Sequence, residues 1–349
     1  PRPAEGTFSG DRVFPTGTIA MEHDFATLRP GGGVELDGVV SCPESMAPCS
    51  YRWDFGNGEQ STAEDPGRVY YGPEGFYTVT FTVTNRFGVS DPKPARAHVA
   101  VWQGTFADDF DRAALDFDRD GYRRPLLLTE QPMYSVKGNQ LRVTGSWGRP
   151  GSTAITAWPV VRNARVEVTK RRQPVATDAE GKPVEHYCDI ILRGHPQGWS
   201  GSFYRVRVWE EVEPGPGNPQ ARGVELAVFK ITSAGDQHGI LISDPSQPPG
   251  TNPTVCQQCA YVPDVPRSQD LRVVVELWEK QIRARLSDPE NPGTVLLTAV
   301  AEDSLPGPLL YAGAVGLTHF EGQSTFDDLR VQELTTPPSG MGGSGPPQP

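Results

Sequence analysis

The chain has 349 residues, and its 32 lysines and arginines against 43 aspartates and glutamates leave a formal net charge of −11. No basic stripe interleaved with aromatics offsets that balance, which argues against nucleic acid as a partner, and no apolar run approaches the ~20 residues of a membrane helix. The length allows two to three domains with cores of their own. Glycine (38) and proline (35) together exceed a fifth of the chain, and no segment keeps a long helical period, so many short strands and turns are expected. The chain starts at Pro1, with neither an initiator methionine nor an apolar signal core, which reads as a mature secreted product or an excised piece of a longer one.

Residues 1–9 form a polar lead-in. In the run Tyr51-Arg52-Trp53-Asp54-Phe55, aromatic residues alternate with charged ones, the period of a strand with one buried face. Gly56-Asn57-Gly58 follows with residues that tolerate positive φ, so the chain can turn back. Further on, Tyr77, Val79, Phe81 and Val83 alternate with Thr78, Thr80, Thr82 and Thr84, a long strand with one face in a core and threonines toward water. Cys42 and Cys49 flank a short proline-containing loop before the first of these strands. There, neighbouring strands of a sandwich can bring two cysteines within disulfide range, so a bridge is expected.

Residues 10–102 resemble the PKD family of small extracellular β-sandwiches, in the Tyr51–Gly58 run, the Ser61-Thr62, Pro66 and Tyr70 positions, and the Gly75–Asn85 strand. Two departures stand out: Asn57 where the family usually has aspartate, and Arg68 where it usually has histidine. Both fall in loops, and the fold is expected to survive them. The resemblance implies an Ig-like sandwich, an extracellular setting and a bias against catalysis.

Beyond the junction at Gln103-Gly104-Thr105, strand patterns continue at Leu141–Val143, Phe203–Trp209, Val224–Ile231, Leu271–Leu277 and Ile282–Leu286. Within Phe203–Trp209, Tyr204, Val206 and Val208 alternate with Arg205 and Arg207. Phe106–Arg112, together with Ala314–Leu317 and Thr325–Val331, resembles the first and last strands of concanavalin A-like, laminin-G-like jelly rolls, which pair and close that domain. A second domain is therefore placed at 104–334, with insertions at about 171–185 and 243–268. Long loops of this kind are usually functional or mobile. Residues 335–349 hold one apolar side chain, Met341, and read as a tail or linker.

Several constellations could carry chemistry. Cys256 and Cys259 form a C-x-x-C, and Cys188 shares a strand face with His186. These four could hold zinc, or two of the three thiols could pair, Cys256 with Cys259 or Cys188 with one of them, leaving one free. Asp116, Asp118 and Asp120 are spaced like the first half of an EF-hand, but the twelfth position is Leu127, so only a looser calcium loop remains, against a solvated acidic turn. The jelly-roll resemblance adds Asp108 and Asp328 as structural calcium candidates. His186, His195, His238 and His319 are scattered.

No Glu-x-Asp-x-x-Glu, Gly-x-Ser-x-Gly, phosphate-binding loop or His-Glu-x-x-His is present, so no enzyme is expected. The expected function is a non-catalytic extracellular or cell-surface protein that binds glycan or protein through the jelly roll. Trp158, Trp199, Tyr204 and Trp209, with Trp147, are candidates for stacking on sugar, although tryptophans in strands are commonly core. Two alternatives stay open: a self-assembling or decorating subunit of an extracellular filament, sheath or virion, and an accessory region of a secreted polysaccharide hydrolase.

Overall fold

The computed structural model describes residues 14–20, 25–116, 120, 122–123, 134–145, 155–171, 186–194, 202–210, 223–232, 240–242, 260–263, 265, 269–305, 307, 309–310, 312–320 and 322–341. The chain divides into two compact units, Pro1–Val101 and Trp102–Pro349. Among the described residues the one helical element is a 3-10 turn at Glu44–Met46. The protein is all-β.

The first unit is built from β1 (Thr16–Ala20), β2 (Phe25–Leu28), β3 (Gly32–Ser41), β4 (Ser50–Asp54), β5 (Gln60–Ser61), β6 (Gly67–Tyr71), β7 (Gly75–Thr84) and β8 (Ala95–Val101). A three-stranded sheet in the order β1-β3-β6 accompanies a five-stranded sheet in the order β2-β8-β7-β4-β5. All pairs are antiparallel except β2 with β8. The alternation read in β7 is realised, since Val79, Phe81 and Val83 are fully buried while the threonines between them are half-buried.

Trp53 anchors this core. It is inaccessible to solvent and stacks on Phe81 with ring centroids 4.2 Å apart. Its indole N–H donates to the carbonyls of Ala63 and Glu64 at 3.0 and 3.1 Å, so the ring is buried without losing a hydrogen bond. Gly38 on β3 lets the backbone come close: a Cβ there would sit 2.8 Å from the Phe81 ring and 2.6 Å from the Glu64 carbonyl oxygen. Gly56 takes φ +74°, the left-handed turn expected after β4.

Both departures from the PKD pattern have structural work, and one is not in a loop as expected: Arg68 lies on β6, opposite Glu35 of β3. Asn57 accepts from the Glu59 N–H at 2.9 Å and donates to the Tyr70 carbonyl at 3.3 Å, and Arg68 donates to the Gly33 carbonyl at 3.2 Å. The expected bridge between Cys42 and Cys49 is present, with Cα atoms 6.2 Å apart across a sequence separation of 7. A loop this short removes only about 2–3 kcal/mol of unfolded-chain entropy.

The second unit holds β9 (Thr105–Asp108), β10 (Tyr122–Arg123), β11 (Tyr134–Val136), β12 (Leu141–Gly145), β13 (Ile155–Val161), β14 (Ala164–Arg171), β15 (His186–Gly194) and β16 (Phe203–Glu210). After these come β17 (Gly223–Ile231), β18 (Ile240–Leu241), β19 (Ala260–Pro263), β20 (Leu271–Trp278), β21 (Gln281–Ser287), β22 (Val295–Glu302), β23 (Gly313–Phe320) and β24 (Gly322–Glu333). They make two eight-stranded sheets, the two layers of a jelly-roll sandwich. The front sheet runs β10-β13-β23-β15-β16-β17-β18, with β19 also on β17, and the back sheet runs β11-β12-β24-β14-β20-β21-β22, with β9 also on β24.

The first and last strands pair as expected, Phe106 opposite Val331 and Asp108 opposite Leu329. One expected loop is different. Of the stretch 243–268, Ala260–Pro263 is a strand, paired antiparallel with Gly223–Leu226; the rest of it, apart from residue 265, lies outside the described residues, as does 172–185. The tail also needs correcting. Leu334 donates its N–H to the Asn163 carbonyl, Arg283 donates to the Ser339 carbonyl at 2.8 Å, and Met341 is 6% exposed, so residues 335–341 are ordered by the domain although they could build no core themselves.

Candidate functional site

The two faces of the front sheet are told apart by what crosses the sandwich. Glu210 on β16 pairs with Lys170 on β14 of the back sheet, so Glu210, Val208, Val206 and Tyr204 point inward. Alternation then sends Phe203, Arg205, Arg207 and Trp209 outward. The register carries the same face across the neighbours: Arg207 lies opposite Asp189 on β15 and Ala227 on β17, and Trp209 lies opposite Tyr187 and Glu225.

On that outward face the side chains form one connected array. Arg207 donates from Nε to Asp189 Oδ1 at 2.9 Å and from Nη2 to Oδ2 at 3.2 Å, a two-pronged contact that fixes the plane of the guanidinium. That plane lies over Tyr187, 3.7 Å from the ring centroid, with Phe229 at 5.4 Å on another side. Arg205 approaches Asp189 Oδ2 at 3.6 Å and lies 4.9 Å from the Phe229 centroid. Trp209 completes the row, its ring 5.7 Å from that of Tyr187. Cation–π contacts out of water contribute up to about 2 kcal/mol each, so the array is preorganised.

Exposure divides this face. Asp189, Arg205 and Phe229 are 3, 6 and 3% exposed, whereas Tyr187, Arg207 and Trp209 are the least covered part of the face, the Arg207 side chain at 11% exposure. Burial disfavours the Arg207 cation, but the charge and hydrogen bonds of Asp189 outweigh it and hold its pKa above the ordinary arginine value. Trp209 carries an anomaly: its Nε1 is buried and has no hydrogen-bond partner. A buried donor left unmade costs about 1–3 kcal/mol.

The structure sorts the residues expected from sequence. Trp209 is in the array. Tyr204 is not: it is fully buried on the inward face, donates to Asp303 Oδ2 at 2.6 Å and accepts from the Leu309 N–H, so it presents no ring to a sugar. Trp158 falls on β13, its side chain outside the described residues, and Trp147 and Trp199 lie outside them altogether. Sequence reading had Arg205 and Arg207 as the face opposite Tyr204 without assigning them a role. Asp189 and Tyr187 were missed, because their place beside Arg207 depends on a strand register that one sequence does not display.

The acidic candidates meet an arginine. Asp108 receives Arg112 Nη1 at 2.8 Å and Nη2 at 2.6 Å, as well as the Phe110 N–H at 2.7 Å. Asp120 lies 2.8 Å from Arg112 Nε and accepts the Asp116 N–H at 2.6 Å. Arg112 thus brings positive charge against both Asp108 and Asp120. Asp328 is exposed at φ +51°, 3.5 Å from the Thr169 hydroxyl, and Asp118 lies outside the described residues. Among the described residues no three His, Cys, Asp or Glu side chains group as a metal would require.

For the zinc or disulfide alternatives, Cys256 and Cys259 are outside the described residues, as is the side chain of His186. Cys188 is a free thiol, 1% exposed on the inward face, so it is not bridged to either of the other two. Burial pushes its pKa up to about 11, which keeps the thiol protonated near neutral pH. His319, its register partner, hydrogen-bonds Ser324 at 2.6 Å and is a satisfied core histidine. Peptide mapping after alkylation at pH 8 should find Cys188 unmodified in native protein and modified once urea is added; rapid labelling of native protein would show that the pocket opens.

Residues 19–101 match the family model of the PKD domain. No curated protein sequence matches the chain. Among solved structures the chain is similar to lectin II from Ulex europaeus at 12% identity, covering 66% of this chain and 98% of the lectin with a TM-score of 0.37. Peanut lectin gives the same figures, 12%, 66%, 98% and 0.37. A xylan β-1,4-xylosidase from Bacillus halodurans C-125 is similar at 10% identity, covering 74% of this chain and 51% of the xylosidase, with a TM-score of 0.42. Roles for residues of this chain rest on its own side chains.

Proposed function

We propose that the protein is a non-catalytic extracellular binding protein that holds glycan on the outward face of the front sheet of its second unit. The observation that carries the reading is the accessible Tyr187, Arg207 and Trp209 patch. Aromatic faces stack on the apolar faces of sugar rings, and a fixed guanidinium supplies directional donors, the combination of apolar surface with a few placed polar groups that small-ligand sites use. A PKD-like unit and the Cys42–Cys49 bridge support an extracellular setting, and among the described residues no helix is long and apolar enough to cross a membrane.

Among the described residues two acids, Asp189 and Glu225, face outward near the patch. Asp189 is committed to Arg207 on both oxygens, which suits a fixed carboxylate and not one that must shuttle a proton. Glu225 is itself engaged by a neighbouring group. The stretch 243–268, apart from its strand Ala260–Pro263, is kept as a proposed contributor to the contact surface.

A glycan array probed with wild type and with Trp209→Ala tests the proposal. Wild type should bind a discrete set of glycans, and the variant should lose tenfold or more in affinity for them, about 1.4 kcal/mol, with unchanged thermal unfolding. Wild-type signal at background across the array would sink it.

A further inference from the structure

The outward face of the back sheet concentrates arginine in a chain whose formal net charge is −11. Lys170 on β14 reaches across the sandwich to Glu210, so alternation turns Arg165 and Glu167 outward. The register carries that face across the sheet. Arg330 on β24 lies opposite Glu167, Glu276 on β20 lies between Arg165 and Arg283, Arg285 lies opposite Val274, and Arg272 lies opposite Thr169. Two carboxylates sit among these five guanidiniums. Glu276, its side chain 5% exposed, accepts from Arg165 Nη1 at 2.7 Å, Arg283 Nε at 2.7 Å and Arg285 Nη2 at 3.2 Å. Glu167 accepts from Arg165 Nε at 2.5 Å and from Arg272 Nη2.

The acids at the margins do not even out the charge. Asp270 and Asp327 pair with Arg171, Glu302 pairs with Lys280, and Asp328 is exposed beside Thr169. With Asp328 included, five cations meet three anions. The excess is reachable: the Arg165, Arg272 and Arg285 side chains are 27, 28 and 31% exposed, and Arg330 is exposed. Arg272 and Arg285 each use one nitrogen on an acceptor among the described residues, and Arg330 uses none. An ion-pair lattice that served stability alone would match its charges, because unmatched like charges repel. Guanidiniums with donors left over suit carboxylate and sulfate groups, which they hold in a two-pronged way.

The surface also limits what carries those groups. A protein partner would need apolar or aromatic anchors at the centre, and the central residue, Val274, is 4% exposed. Single-stranded nucleic acid would need aromatic platforms, and Trp278, at the end of β20, is the one aromatic residue at the outward positions of β14, β20, β21 and β22. We propose that this face binds an anionic polysaccharide, a linear chain whose sulfate or carboxylate groups are held by Arg272, Arg285 and Arg330. From β24 to β21 the patch crosses three strand spacings, about 14 Å, so successive charged groups of one chain can be engaged together. The site is separate from the front-sheet patch and does not depend on the reading proposed for that patch.

Titration calorimetry of the full chain at low salt tests the proposal, with heparin as the sulfated probe, polygalacturonate as the carboxylate probe and dextran as the neutral one. At least one anionic polymer should bind more tightly than dextran, with an affinity that falls as salt rises; which of the two it is tells sulfate from carboxylate. The combined change Arg272→Gln, Arg285→Gln and Arg330→Gln should lower that affinity about tenfold or more, and the same three positions changed to lysine, which keeps the charge, should lose less. Glu167 and Glu276 keep Arg165 and Arg283 in both, and an unchanged thermal transition confirms the fold. Arg330→Gln alone, at an exposed position, should lower affinity about threefold, and it decides the matter if the triple variant unfolds. A wild type that binds neither anionic polymer more tightly than dextran overturns the proposal, and so does undiminished binding by the glutamine variants. Tighter binding of polyglutamate or of oligo-dT than of either polysaccharide overturns the choice of ligand.

Discussion

Replacing Trp53 with alanine is expected to unfold the first unit or bring it to the edge of unfolding. The side chain is wholly buried, stacks on Phe81 at 4.2 Å and is the centre of a cluster with Leu36, Phe55, Tyr71 and Val79. Large-to-alanine changes of this kind cost about 3–5 kcal/mol through lost transfer energy and residual cavity. Domains of this size hold about 5–15 kcal/mol in total. Urea titration followed by tyrosine and tryptophan signals should show the transition of the first unit moving to much lower denaturant while that of the second stays in place. Trp53→Phe separates the ring from its hydrogen bonds: it should cost about 1–3 kcal/mol, because the Ala63 and Glu64 carbonyls lose their donor. An alanine variant within 1 kcal/mol of wild type would mean that the Trp53 stack is not the keystone of this core.

Asp303→Ala should damage the second unit by a comparable amount and for a different reason. Lys230 Nζ lies 2.9 Å from Asp303 Oδ2 with side-chain exposures of 3 and 0%. The lysine also donates to the Gly307 carbonyl at 2.9 Å, and Tyr204 shares the same carboxylate oxygen. Removing the acid leaves a buried ammonium without its counter-charge, which costs about 3–5 kcal/mol, whereas exchanging both partners for apolar side chains is often close to neutral. A double-mutant cycle with Lys230→Met and Asp303→Leu should therefore show the double variant more stable than Asp303→Ala alone. If the double variant is the worse one, the pair contributes net stability and the desolvation cost has been overestimated.

Much of the fold was readable because the signals were local. Tyr77–Thr84 shows its buried face in its own alternation, Gly56-Asn57-Gly58 marks its own turn, and Cys42 and Cys49 stand close enough in sequence for their loop to suggest the bond. The pairing of Phe106 with Val331 was legible only through resemblance, since nothing in either segment names the other. The candidate site was half legible. Arg205, Arg207 and Trp209 share a parity that any strand reading gives, but Tyr187 and Asp189 join them through a register set by strands far apart in sequence. Tyr204 was taken for a ligand contact because an aromatic in a strand shows which residues share its face and not which face is solvated. In the acidic stretch the sequence shows Asp108 and Asp120 but not that the fold sets Arg112 between them.

The pairing of β2 with β8 and of β9 with β24 gives the two units opposite responses to a pulling force. In the first unit β2 and β8 run parallel, in register from Phe25 opposite His98 to Leu28 opposite Val101. Tension applied through the start of β2 and the end of β8 loads those hydrogen bonds side by side, so they must rupture together. In the second unit β9 and β24 are antiparallel, with Thr105 opposite Gln332. The same tension reaches one end of that ladder and opens it bond by bond, once the Ser339–Met341 segment has been lifted from Arg283. In a chain stretched between two anchors the β9–β24 ladder would open at low force, whereas β2 and β8 would hold in shear once tension had passed β1, which precedes β2 and pairs antiparallel with β3.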